Sequence, residues 1–292
     1  MAPKISPKAR RLLSGSAFTI VCIAAVWSVG HQWIEVAARI ESASAWYGTA
    51  AALSGAVMLM VSAASLAFLA HPGVTRLARL WAVMRVYLLA QPLKYLPGKV
   101  WAITYQIFRV GEETGGRMAV AASASQMVVS AFGSVVVFGI ASGGHPILLP
   151  AATLTLALWL WRGGASRYLG IADEEWMSLS QNFRVLGSIA FEWAAFALAC
   201  WLISKSLGSG GQFSFVLMAL YSIAWIIGSL ASITPGGLVI REGGFIMLCQ
   251  INGVPSEFAG AFAILARLVF TFSELLAAGI SLSIAPTKFG SR

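Results

Sequence analysis

Charge is scarce in this sequence: Asp, Glu, Lys and Arg together make up 11% of 292 residues. A solvated surface normally needs about a quarter of its residues charged, so an ordinary soluble domain is excluded. Cysteine and histidine are scarcer still. Cys22, Cys200 and Cys249 sit inside apolar segments at unrelated spacings, which excludes a disulfide framework and a cysteine metal site. His31, His71 and His145 lie in separate loops, with none of the helical pairing that a His-ligated metal needs. Neither a GxSxG elbow nor a phosphate-binding glycine loop occurs, so no nucleotide, metal or other cofactor is expected, and direct use of ATP is not expected either. Glu35 and Glu41, the only candidates for the acid or base of a membrane glycosyltransferase, read as surface residues, because acid–base chemistry needs a defined pocket that nothing near them supplies.

Apolar sequence is abundant instead. Hydrophobic residues make up 58% of the chain and the mean hydropathy is +0.80. Seven runs approach the roughly 20 residues that a helix needs to cross a bilayer: Leu12 to Gly30, Ala45 to Ala70, Met118 to Ala141, Ile147 to Trp161, Val185 to Ile203, Phe213 to Ile233 and Phe258 to Ile284. The expected fold is an all-α polytopic membrane protein of about six to eight spans, forming one integral-membrane domain over residues 1–292. The formal charge of +9 points to membrane orientation and not to nucleic acid, because the basic residues lie between the runs. Lys4, Lys8, Arg10 and Arg11 precede the first run, and seven Lys and Arg residues fall between Arg76 and Arg117, whereas the loop between the first two runs has only Arg39. The N-terminus and the 71–117 region are therefore expected on the cytoplasmic side, with the first run as an uncleaved signal anchor.

The 71–117 region is itself unusual. "TRLARLWAVMRVYLLA" suits a helix at the membrane interface, with Arg76, Arg79 and Arg85 reaching lipid phosphates, or a short amphipathic connector. After it, "QPLKYLPGKVW" places Pro92, Lys94, Pro97, Gly98 and Lys99 where a helix would otherwise continue, so a break is expected near Lys94 to Lys99. Irregular backbone at membrane depth is tolerated only when it is buried in protein or lines a watery cavity, so a re-entrant element is expected. The same composition returns in "SITPGGLVIREGGF", where Pro235, Gly236 and Gly237 are followed by Arg241 and Glu242. Broken apolar segments in both halves suggest an internal repeat with a substrate site between the halves.

Other charges fall inside apolar runs, where each costs about 2.5 to 3.5 kcal/mol at a helix centre and so marks a functional candidate. Glu192 lies in "SIAFEWAAFAL", and Arg267 and Glu274 lie two helical turns apart on one face of "LARLVFTFSELLAA". These three are expected to set the charge of a cavity; alternatively, Glu192 or Glu274 simply neutralises Arg267. Lys94, Lys99 and Arg241, with amides freed around the two proline-glycine turns, suit an anionic head group such as a lipid phosphate.

"KYLPGKVW" and "TPGGLVIREGGFIMLCQINGV" together resemble the membrane region of the lysylphosphatidylglycerol synthase family, also called flippase-like, over essentially the whole chain. The pattern falls on Lys94, Tyr95, Leu96, Pro97, Gly98 and Lys99, and again on Pro235, Gly236, Gly237, Leu238, Arg241 and Glu242. The resemblance implies a domain that moves or binds lipids of the bacterial inner membrane. The chain stops soon after Ile284, so the soluble aminoacyltransferase domain of bifunctional members is not expected, and neither is enzymatic activity. The expected activity is translocation of an anionic lipid or lipid-linked glycan. The alternative is a non-transporting subunit that anchors an envelope-synthesis enzyme.

Overall fold

The computed structural model describes residues 33–71, 76–95, 100–141, 179–208, 213–230 and 240–284. Among these residues the chain is helical throughout, with nine α-helices, one 3-10 turn and no strands. In order they are α1 (Trp33–Glu41), α2 (Ala45–Ala70), α3 (Leu77–Ala90), the 3-10 turn Pro92–Tyr95, α4 (Val100–Thr114), α5 (Gly116–Ala141), α6 (Leu179–Ser206), α7 (Ser214–Leu230), α8 (Ile240–Ile251) and α9 (Ser256–Ser283).

Helices α2, α5, α6 and α9 are long and apolar enough to cross a membrane. A 26-residue helix such as α2 is roughly 39 Å long at 1.5 Å per residue, against a hydrocarbon core of about 30 Å. These four helices coincide with four of the seven expected runs. The run from Phe213 becomes the shorter helix α7 of 17 residues, and Leu12 to Gly30 and Ile147 to Trp161 lie outside the described residues. Leu53, Met127, Phe191, Leu198, Leu268 and Phe272 point outward and exposed from the four long helices, as a lipid-facing surface requires.

Helix α2 is the hub, packing against α3, α5, α6 and α9. Lipid tails are as apolar as leucine, so helices associate in a membrane by close packing and interhelical hydrogen bonds rather than by burying oil from water. The α2 sequence fits that rule, since Ala51, Ala52, Ser54, Gly55, Ala56, Ser62 and Ala63 are all buried. Ser54 Oγ donates to the Ala195 carbonyl of α6 at 2.8 Å, and Ser273 Oγ of α9 donates to the Ala52 carbonyl at 2.8 Å. Gly55 sits directly against Ser273, where a Cβ would collide with the hydroxyl. From α5, Gln126 Nε2 donates to the Ser62 carbonyl at 2.8 Å.

Between the long helices lie two pairs of shorter helices, α3 with α4 and α7 with α8. Helix α3, of 14 residues, stops at Ala90, and Pro92 opens the 3-10 turn in place of another helical turn. Pro92 brings no N–H, and Gln91 turns its own side-chain amide back to the Tyr87 carbonyl at 3.4 Å. Helix α4 resumes at Val100 for 15 residues. The break therefore begins at Gln91, three residues before the expected position. Helix α3 is also more deeply packed than an interfacial helix: Arg76 and Arg79 are exposed at its start, but Ala82, Val83, Val86, Leu88 and Ala90 are buried against α2, α4 and α9. A surface helix would keep one face in water along its length, whereas this one enters the bundle from its second turn onward.

The second pair is α7 and α8, which flank residues 231–239 outside the described residues; the 12 described residues of α8 span roughly 18 Å. Its end is fixed by a Schellman turn: Val254 N–H donates to the Cys249 carbonyl at 2.9 Å and Gly253 N–H to the Gln250 carbonyl at 3.1 Å. Gly253 takes a positive φ of 72°, the left-handed geometry that the motif needs, and Val254 is buried beside it. Helix α9 follows at once from Ser256, so "GGFIMLCQING" carries most of the described α8 and its closing turn.

Candidate functional site

The helices deliver charges to the middle of the bundle. The 3-10 turn carries Lys94 and Tyr95, the first turn of α8 carries Arg241 and Glu242, α9 carries Arg267, Thr271 and Glu274, and α6 carries Glu192. Arg241, Glu192 and Glu274 are all buried, at 8%, 5% and 6% exposure. Glu242 in the first turn of α8 suits the positive end of that helix, whereas Arg241 there is held by side-chain partners against the helix dipole.

Two linked clusters result. In the first, Glu274 accepts Lys94 Nζ on one oxygen and the Tyr95 hydroxyl on the other at 2.8 Å. Tyr95 Oη also lies 3.0 Å from Thr271 Oγ1, which fixes the phenol between two turns of α9. In the second, Arg241 donates through Nε and Nη2 to one oxygen of Glu242, at 3.1 and 2.8 Å. Arg267 Nη1 stands 3.7 Å from that same oxygen, so one carboxylate serves two guanidinium groups. Aromatic faces complete the joint. The Arg267 guanidinium lies over the Tyr95 ring at 4.9 Å and that of Arg241 over the Tyr221 ring at 5.5 Å, geometry in which a ring quadrupole attracts a cation. Gly228 of α7 leaves the space that the Arg241 side chain occupies; a Cβ there would approach Arg241 Cβ to 2.7 Å.

Lys94, Arg241, Glu192 and Glu274 line one cavity of about 80 Å³, together with Ser62, Tyr87, Gln91, Ser130 and a wall of Trp193, Phe196, Trp225 and Phe270. That volume holds several waters but is smaller than a site for an organic ligand, about 300 Å³ or more. Glu192 accepts the Ser130 hydroxyl at 3.3 Å, and its second oxygen has no partner among the described residues. Next to this cavity, between α5, α6 and α7, runs an apolar groove of about 630 Å³ lined by Gly133, Val137, Phe183, Leu186 and Met218. Trp193 forms part of both walls, its ring pressed onto the bare backbone of Gly133 so closely that a Cβ would overlap it.

The structure thus gathers Lys94, Arg241, Glu242, Arg267 and Glu274 into contacting pairs, and places Glu192 across the same cavity. For the alternative in which Glu192 or Glu274 neutralises Arg267, the described ion pairs instead join Glu274 to Lys94 and Arg267 to Glu242. Pro97, Gly98, Lys99, Pro235, Gly236 and Gly237 lie outside the described residues. Glu35 and Glu41 are exposed on α1, and Cys200 and Cys249 are buried free thiols. Sequence reasoning did not single out Tyr95 as a ligand of Glu274, Gly228 as the seat of Arg241, or the hydroxyls around Glu192. The only signal for the last was a handful of Ser, Tyr and Gln residues in apolar helices. Comparison with protein-family models and with curated proteins found no match.

Proposed function

We propose that this membrane protein binds the anionic head group of a lipid or lipid-linked glycan between its two pairs of shorter helices and carries it between the leaflets of the bacterial inner membrane. The observation that carries the reading is a buried arginine, Arg241, and a lysine, Lys94, lining a polar cavity inside an otherwise apolar bundle. Ionisable groups at membrane depth are expensive, and transporters place them where a substrate or ion must pass. Arg241 offers the forked donors that match a phosphate, and Lys94 adds a movable point charge.

In the described arrangement both cations are occupied by carboxylates, and the cavity is too small for a head group. Binding therefore requires exchange: phosphate takes the place of Glu242 on Arg241 and of Glu274 on Lys94, and the helix pairs part to make room. The exchange keeps both cations compensated, while the displaced Glu242 falls to Arg267 and the displaced Glu274 keeps the Tyr95 hydroxyl and meets water as the helix pairs part. The apolar groove beside Trp193 would hold an acyl chain of the same lipid. The likeness of the two proline-glycine segments to the flippase-like family, an N-terminus on the cytoplasmic side and a single domain over residues 1–292 all belong to this proposal.

The test is reconstitution into vesicles with fluorescent anionic phospholipids and measurement of the fraction crossing to the outer leaflet. Wild type should accelerate crossing and Arg241→Ala should abolish it while remaining folded. Equal crossing by both proteins would sink the assignment. Lipid binding without crossing by the wild type would favour a subunit that anchors an envelope-synthesis enzyme.

A further inference from the structure

One end of the cavity does not serve an anion. Around Glu192 the lining consists of oxygen-bearing side chains: the Ser130 hydroxyl at 3.3 Å, the Ser62 hydroxyl beside the carboxyl, and the Tyr87 phenol beside Ser62, with Gln91 next in turn. Ser130 comes from α5, Ser62 from α2, Tyr87 from α3 and Glu192 from α6, so four helices converge on it. Glu192 is 95% removed from solvent by its 5% exposure, forms no described ion pair, and leaves Oε2 without a partner. Each of the other two cavity-cluster carboxylates meets a cation: Glu274 holds Lys94, and Glu242 holds Arg241. An uncompensated buried carboxylate is among the costliest groups a protein can hold, so a positive charge of some kind belongs there.

The geometry points to a binding site for a monovalent alkali cation at this end of the cavity, with Glu192 as its single charged ligand and Ser62, Tyr87 and Ser130 as neutral oxygen ligands. Hard cations take oxygen donors, and one carboxylate balances one positive charge. Among the described residues no three His, Cys, Asp or Glu side chains gather, so the ligand set lacks the charge and the soft donors of a divalent or transition-metal site. The cavity has room for an ion with one or two of its waters. Because it shares this cavity with Arg241 and Lys94, cation occupancy is placed to couple to whatever binds there.

The experiment uses the full chain in lipid nanodiscs and follows Trp fluorescence and the unfolding temperature as NaCl replaces choline chloride at constant ionic strength, with KCl as a second arm. Wild type should show a saturable rise in unfolding temperature and a fluorescence change from Trp193, with one alkali cation acting at lower concentration than the other. Glu192→Gln, which keeps the shape and removes the charge, should lose both responses. Should that variant fail to fold, Ser130→Ala reports instead, by moving the midpoint to higher cation concentration. Arg241→Ala, which tests the head-group reading, should keep the cation response, so the two ideas fail separately. The proposal is overturned by a wild type indifferent to which cation is present, by an unchanged response in Glu192→Gln, or by a response to pH alone, which would mean a proton holds the place.

Discussion

Replacing Glu274 removes the acceptor of both Lys94 and the Tyr95 hydroxyl, and the size of the penalty follows from what remains. Breaking a buried ion pair from one side typically costs about 3–5 kcal/mol, because the surviving charge stays buried. Here the Glu274 side chain is only 7% exposed but that of Lys94 is 26% exposed, so part of the stranded ammonium reaches solvent and the cost falls to about 2–3 kcal/mol. Tyr95 loses one acceptor but keeps Thr271 at 3.0 Å, which limits its share to about 1 kcal/mol within that total. Glu274→Leu should therefore lower unfolding free energy in mild detergent by about 2–3 kcal/mol. Lys94→Met should cost more, about 3–5 kcal/mol, since the carboxylate left behind is the more deeply buried partner and keeps only the Tyr95 hydroxyl. The double variant Lys94→Met with Glu274→Leu, which removes both charges, should recover most of the loss. Equilibrium unfolding of the four proteins gives the cycle directly. Simple addition of the two single losses in the double variant would refute the pairing.

Three further outcomes follow from packing. Gly228→Ala puts a methyl against Arg241 Cβ, so it should disturb the Arg241–Glu242 pair and weaken lipid retention while costing about 1–3 kcal/mol of stability, measured by unfolding and by lipid copurification. Gly253→Ala forces a side chain into a φ of 72° and should cost about 1–2 kcal/mol without affecting lipid binding, because the Schellman turn stands apart from the cavity. Gly133→Ala should displace the Trp193 ring, read as a shift in tryptophan emission; emission identical to wild type would contradict the stacked geometry.

The all-helical membrane fold was legible because apolar runs of bilayer length leave few alternatives, and α2, α5, α6 and α9 follow those runs closely. The first interruption was legible as proline inside apolar sequence, and Pro92 ends α3 for the reason the sequence offers, a missing donor; Pro235, Gly236 and Gly237 lie outside the described residues. The partners of the buried charges were not legible. Arg267 and Glu274 visibly share a face of α9, but Glu274 meets Lys94 from 180 residues earlier, and Arg267 meets Glu242 across a turn between helices. Such pairings depend on how the broken segments are threaded into the bundle, which local periodicity does not encode. Gly228 was equally silent, because a glycine in an apolar helix signals close approach without naming what approaches.

The most direct test of the central claim is native mass spectrometry of gently extracted protein, wild type beside Arg241→Ala. The account predicts one class of anionic lipid retained by the wild type and lost from the variant, with both proteins folded. The same mixture of bulk lipid on both proteins would contradict a head-group site at Arg241.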